Sequence, residues 1–323
     1  MSLPGFFVRC RCWEYHDRIR CSLEGSLFMK IILVMRFVIV AVFVLLFAGV
    51  AEAALDAEAI GVAAGVQTTT APDGVVRIGW GRDDVAVTVD GMAFRPQAGL
   101  GSWAAFMEVA GGAMVMGDTV VFQDEVDAAM DAAFAGGLEV TALHNHFFYD
   151  EPKVYFMHIG GRGDATGLAR GVKGMWDAVK AVRAKAAQPA TRFAGPIPSA
   201  GSIDAAAIDL IVGAKSTTNN GVVKVSIARE GSMGGTTIGG SMGLSSWAAF
   251  SGSDALAAMD GDFIMTAAEV QPTLRAMRAA GIHIVSLHNH MVGEAPAYFF
   301  THFWATGSTA ELAKGFRSAL DAE

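Results

Sequence analysis

The hydrophobic pattern divides the chain into one apolar block and two long stretches in which apolar and polar positions mix. Ile31–Ala51 is apolar except for Arg36. Beyond it the pattern predicts short elements. Asp56–Gly65 reads as a short helix ended by its glycine, and Val75–Trp80 and Val85–Val89 as strands joined through a Gly-Arg-Asp turn. Trp103–Val109 is a further strand, and Val115–Phe122 another, built around a Gly117-Asp118 turn. Asp124–Ala135 is a helix, with Asp124 as cap, Glu125 in the first turn and Gly136-Gly137 at its end. Leu138–His146 and Val154–Ile159 are strands. Asp164–Ala184 is an amphipathic helix with Leu168, Val172, Met175, Trp176 and Val179 on one stripe.

The same pattern occurs twice. Gly99–Val172 aligns without a gap on Gly243–Phe316 at an offset of 144, with 26 identities in 74 positions. S-W-A-A-F recurs at Ser102–Phe106 and Ser246–Phe250, Gly117-Asp118 as Gly261-Asp262, and L-H-N-H at Leu143–His146 and Leu287–His290. Pro152, Phe156 and His158 return as Pro296, Phe300 and His302. Each half ends in the order β-α-β-β-α. That order predicts an α+β fold of two duplicated halves, each a mixed or antiparallel sheet with helices packed on one face. The divisions are residues 1–53 (N-terminal extension and export segment), 54–187 (first repeat), 188–202 (a linker rich in Pro, Gly, Ala and Ser) and 203–323 (second repeat).

Composition adds constraints. The chain of 323 residues is 52% hydrophobic and 17% charged, enough for a packed core and unlike a disordered chain. Lys30 and Arg36, the apolar run Phe37–Val50 and Ala51-Glu52-Ala53 have the layout of a signal peptide cleaved before Ala54. The expected location is therefore exported, periplasmic or extracellular. An uncleaved anchor helix is the alternative, and would be the chain's only membrane contact. Residues 1–28 precede the export signal and read as an upstream extension from a mis-assigned start. They carry all three cysteines, Cys10, Cys12 and Cys21, at a spacing that fits no standard zinc finger. From Ala54 onward no cysteine remains for a disulfide or a lipid. That part holds 18 Lys and Arg against 28 Asp and Glu, a net charge of −10. The acidic balance argues against nucleic acid as a partner and mildly favours cations.

Six of the seven histidines beyond Ala54 fall in two clusters, His144, His146, His158 and His288, His290, His302. Residues two apart on a strand share a face. A hairpin symmetric about Glu151 would set His144 opposite His158 and His146 opposite Phe156, so that three imidazoles converge; the second half would repeat this with Phe300. Three neutral imidazoles suit a transition metal, Zn²⁺ first. Asp150 or Glu151, and Glu294 in the second half, are candidate carboxylates, as ligand or general base, Glu151 and Glu294 being the catalytic candidates. Buried histidines bonded to backbone are the structural alternative. Asn145 and Asn289 point away and serve the backbone. Asp118 and Asp262 read as turn residues, with an orienting role toward a histidine as the alternative. Trp103 and Trp247 read as core anchors, and His283 as incidental.

The G-L-G-S-W-A-A-F run at 99–106, Gly117-Asp118, Glu125-Val126, L-H-N-H and F-M-H at 156–158 together resemble the LppY/LpqO-type family of exported bacterial proteins. The resemblance covers most of the chain from Leu55 on. It implies export and a duplicated domain, and assigns no activity. Its lipid-carrying members have a lipobox cysteine that this chain lacks. A cupin also carries H-x-H, loosely matched by His144, His146 and Glu151, but the expected helices disagree with a cupin barrel. Two functions remain open: a module that binds a metal or small molecule for sequestration or sensing, and a metal-dependent hydrolase with a His₃ site and a nearby carboxylate.

Overall fold

The structure, a computed structural model, describes residues 54–323; the expected export segment and the cysteine cluster lie outside them. No helix among the described residues is long and apolar enough to cross a membrane.

In the first half α1 (Ala57–Ala64) is capped by Asp56, whose carboxylate accepts from Ala59 N, and is closed by Gly65 at φ 68°. Strands β1 (Thr69–Thr70) and β2 (Val76–Gly81) follow, then a short hairpin, β3 (Val87–Val89) and β4 (Met92–Phe94). Next come β5 (Gly101–Val109), β6 (Gly112–Phe122), α2 (Val126–Ala135), β7 (Glu139–His144), β8 (Asp150–Glu151), β9 (Val154–Gly163) and α3 (Ala165–Lys185). The second half repeats the series as α4 (Ala205–Val212), β10 (Ser216–Asn219), β11 (Val222–Ala228), β12 (Gly231–Met233) and β13 (Thr236–Ile238). It continues with β14 (Ser245–Gly252), β15 (Ala257–Thr266), α5 (Val270–Ala279), β16 (His283–His288), β17 (Glu294–Ala295), β18 (Tyr298–Gly307) and α6 (Thr309–Leu320).

Both halves belong to one twelve-stranded sheet in the order β1-β2-β5-β6-β9-β7-β16-β18-β15-β14-β11-β10. The second half of that order mirrors the first. The halves meet where β7 pairs antiparallel with β16, and the paired residues are Leu143 and Leu287, equivalents at the 144 offset. An approximate twofold axis therefore passes between them, normal to the sheet. The two repeats form a single compact unit, Ala54–Glu323.

The helices cover one face. Val115, Val140, Leu143, Met157 and Ile159 point into that core with Met175 and Trp176 of α3, and Phe250, Phe263 and Phe303 do so with Phe316 of α6. Alternation along each strand leaves the other set of side chains on the opposite face. There a smaller core gathers Val120, Phe122, Val154 and Phe156 beneath the three-stranded sheet β4-β3-β8, and Leu244, Ile264, Tyr298 and Phe300 form its counterpart in the second half. The two strands expected at Val75–Trp80 and Val85–Val89, joined through a turn, thus lie in different layers: β2 joins the large sheet and β3 the small one.

An arginine fastens the small layer to the large one. Arg82, 1% exposed, donates to both Glu125 oxygens at 2.8 and 2.9 Å, to Val120 O at 2.9 Å and to Asp84 at 2.8 Å. Asp124 does not cap α2 as anticipated; Glu125 holds the N-cap position, and its side chain folds back to accept from Phe122 N at 2.8 Å. Asp124 instead pairs with Arg183 near the end of α3. Arg229 and Glu269 repeat the anchor at 2.7 Å, less buried. Removing one partner of a buried pair is costly, and Arg183 Nε at 2.6 Å from Glu125 leaves that carboxylate one remaining cation, so Arg82→Met should cost about 3 kcal/mol, the low end for such pairs, and Arg229→Met less, because its pair is more exposed. Urea denaturation of the two variants checks the order.

Candidate metal centre

Each histidine cluster lies on the face without helices, beside the small aromatic core. The centre is assembled from a row of side chains running across the sheet. Trp103 of β5 opposes Asp118 of β6, Asp118 opposes His158 of β9, and His158 opposes Ala142 of β7. In the second half the row is Trp247, Asp262, His302 and Ser286. Directly opposed residues share a face, so the aspartate carboxylate is aimed along the row at the imidazole.

Gly117-Asp118 and Gly261-Asp262 are therefore not turns, as expected, but mid-strand positions. The glycine is there for space. A Cβ on Gly261 would lie 2.2 Å from Trp247 O and 2.3 Å from Phe303 Cζ, and one on Gly117 2.7 Å from Trp103 O. The tryptophans are not core anchors. They stand half-buried on the open face, under Arg77 at 4.8 Å and Lys224 at 3.7 Å.

The hairpin register departs from the expected one by two residues. His144 opposes Phe156, not His158, and His288 opposes Phe300. The physical reason is the connection: β7 ends at His144, and the following loop leaves the hairpin to place Asp150 and Glu151 against β3. A bulge between Val140 and Ala142 adjusts the remainder. An even shift preserves the face, so the three imidazoles still gather. His144 lies 5.0 Å from both His146 and His158 between ring centroids; His288 lies 5.2 Å from His290 and 5.0 Å from His302. His146 and His290 sit just past the strand and stack flat on Phe156 and Phe300, with interplanar angles of 7° and 9°.

Backbone bonds orient the rings. His288 Nδ1 faces Asn289 O at 3.3 Å and His144 Nδ1 faces Asn145 O at 3.2 Å. His302 Nδ1 faces Gly261 O at 3.1 Å. A carbonyl only accepts, so these Nδ1 atoms carry the proton and Nε2 keeps a lone pair. That is the tautomer a metal requires, held by its neighbour. The asparagines act on backbone as expected: Asn145 and Asn289 donate to Phe147 O and Met291 O at 2.9 and 2.7 Å, pinning the loop that carries the second histidine of each pair.

In the second half, one ligand atom from each of Asp262, His288, His290 and His302 falls within 4.8 Å of every other. Ligands on one tetrahedral ion at about 2.0–2.1 Å stand roughly 3.4 Å apart, so small side-chain rotations would close the set. Asp262 Oδ2 is 3.2 Å from His290 Nε2, whereas Asp118 Oδ2 is 3.9 Å from the nearest imidazole nitrogen of its set, His158 Nε2. Buried Asp262 Oδ1 and His288 Nε2 have no hydrogen-bond partner, and neither has Ser286 Oγ in the same row. Burial pushes the Asp262 and Asp118 carboxyls above their ordinary range, against the opposing pull of the imidazoles. Burial also lowers His290 and His146, while the aspartate in each site pulls them back up.

The proposed catalytic glutamates sit elsewhere. Glu294 is buried and accepts from Tyr298 N at 3.0 Å, as its counterpart Asp150 accepts from Val154 N at 2.7 Å. Both close the loop locally. Glu151 is exposed and paired in strand register with Thr88. The carboxylates that meet the histidines are Asp118 and Asp262, which sequence reasoning set aside. Their signal was present: the Gly-Asp pair recurs at the same place in both repeats.

The fold and the site define a duplicated α+β protein whose halves each present a cluster of three histidines and an aspartate on one sheet face. The chain belongs to the family described as Domain of Unknown Function (DUF1259), matched at residues 58–178 and 206–322, one copy per half. No curated protein matches it. Among solved structures it is similar to a trimeric bacterial microcompartment shell protein PduB, at 8% identity over 79% of this chain and 89% of that one, TM-score 0.21. It is also similar to EtuB from Clostridium kluyveri, at 9% identity over 79% and 88%, TM-score 0.21. Likenesses this distant do not inform the site.

The shifts fix the pH response of the metal-free protein. An imidazole held below its unfolded value of about 6.5 stabilises the fold above that pH, and the contribution is lost as pH falls through the folded value. The raised Asp262 acts in the opposite sense. Asp262→Asn removes that opposition and lowers His290 further. Thermal melts in chelator from about pH 7 to about pH 5 should therefore show a steeper loss of stability in Asp262→Asn than in the parent. An unchanged or shallower slope would contradict the assignment.

Proposed function

We propose that this is an exported transition-metal-binding protein, Zn²⁺ being the expected ion, with the tighter of two sites in the second half. The observation that carries the reading is the Asp262, His288, His290, His302 set, with two buried ligand atoms left without partners. Burying such atoms unpaired costs about 1–3 kcal/mol each, and a bound cation would relieve both. Three imidazoles and one carboxylate supply the donors that suit Zn²⁺. Four protein donors fill a tetrahedral shell, which favours holding an ion over turning it to hydrolysis. The first half carries the same residues in a looser arrangement, so its affinity is lower. Export rests on the signal-like segment before Ala54 and on the resemblance to the LppY/LpqO-type family.

Purified protein stripped with chelator and dialysed against Zn²⁺ near neutral pH should take up one equivalent tightly and a second weakly. His290→Ala should abolish the tight uptake and His146→Ala the weak one, each weakening its own site by roughly a hundredfold or more. Failure to take up Zn, Cu, Ni, Mn or Fe would leave the histidines a structural role. N-terminal sequencing of the native protein should begin near Ala54; a retained segment would instead make it membrane-anchored.

A further inference from the structure

Away from both histidine clusters, the seam between the halves holds a cavity of about 400 Å³ continuous with one of about 260 Å³; Gln123, Phe193 and Trp304 line both. Its walls come from three sources. Tyr155 belongs to the first half, Trp304 and His283 to the second, and Phe193 to the linker that straps across them. The cavity exists because β7 stops at His144 while β16 begins at His283, leaving the central sheet open beside β9.

His283 is not incidental. Its Nδ1 contacts Asp127 Oδ2, across the seam. Asp127 Oδ1 is also paired with Arg278 Nη1 at 2.7 Å. A carboxylate oxygen accepts, so in the neutral ring the proton on that bond sits on Nδ1 and Nε2 is left as an acceptor. Phe193 stacks on the ring at 3.8 Å between centroids, interplanar angle 12°.

The duplication supplies an internal control. The metal-site residues are identical in the two halves, but the seam residues have diverged. At the 144 offset His283 stands where the first half has Glu139, Asp127 where the second has Gln271, and Trp304 where the first has Gly160. At the mirror-related seam Gln271 closes the gap itself, accepting from Val140 N at 3.0 Å and donating to Val140 O at 2.7 Å. Among the described residues the His283–Asp127 pair and Trp304 mark one seam, and the mirror-related positions hold Glu139, Gln271 and Gly160 instead.

We propose that this cavity is a binding site for a small aromatic molecule bearing a hydroxyl, whose O–H donates to His283 Nε2 while the ring lies among Phe193, Trp304 and Tyr155. The volume suits a ligand of that size. Aromatic walls favour a flat apolar body, and a hydrogen-bond acceptor set in such walls discriminates for a donor.

The test uses the full protein, 2-naphthol, and 2-methoxynaphthalene, which has the same ring system but no O–H. Calorimetric titration should give one site, with 2-naphthol binding about tenfold tighter, the worth of one net hydrogen bond. His283→Leu should erase that preference. Phe193→Ala, on the exposed linker, should weaken both ligands severalfold without disturbing the fold, and Trp304→Gly, the residue already present in the first half, should do the same. Absence of binding, equal binding of the two ligands, or a preference that survives His283→Leu in a folded variant would overturn the proposal. Binding that survives Phe193→Ala unchanged would place the ligand elsewhere.

Discussion

A carboxylate buried against three imidazoles is the interaction on which the rest of each half depends. Asp262 sits on the open face of a β-sheet, 5% exposed, with one oxygen unpartnered. Burying an aspartate this way is costly unless a positive charge meets it. The surroundings are arranged to hold it there. Gly261 lets the tryptophan strand and β18 close tightly around it, Asn289 and the backbone fix the rings, and Arg229 with Glu269 locks the covering layer. A divalent cation held there would meet the buried carboxylate with positive charge.

The architecture follows from placing that site twice. Helices cover one face of the sheet, so the opposite face is free for polar chemistry. Pairing Leu143 with Leu287 merges two modest sheets into one and buries both helical layers in a single core. The twofold then sets both clusters on the same side. Strand spacings of about 4.8 Å set β9 and β18, three strands apart, about 14 Å from each other. The duplicated chain is free to diverge where the halves touch, and the seam around His283 is where it has done so.

Much of this was legible in the sequence. The 144-residue offset implied two copies of one fold, period-2 spacing set His144 and His146 on a common face, and the expected hairpin brought His158 to it. The stripe on Asp164–Ala184 marked the long helix that covers the core. What escaped prediction depended on contacts distant in sequence. The loop after His146 departs to pair with β3, a partner some sixty residues earlier, so the hairpin register could not be read locally. Asp118 looked like a turn because it follows a glycine; that glycine is needed for the approach of a neighbouring strand. Glu294 looked available because nothing in the sequence showed that Tyr298 N would claim it.

X-ray absorption at the zinc edge of the protein loaded with one equivalent tests the central claim most directly. The account predicts a shell of nitrogen and oxygen at about 2.0–2.1 Å with the outer-shell pattern of about three imidazoles, diminished by one in His302→Ala. A six-oxygen shell without imidazole, or a spectrum unaltered by that substitution, would contradict it.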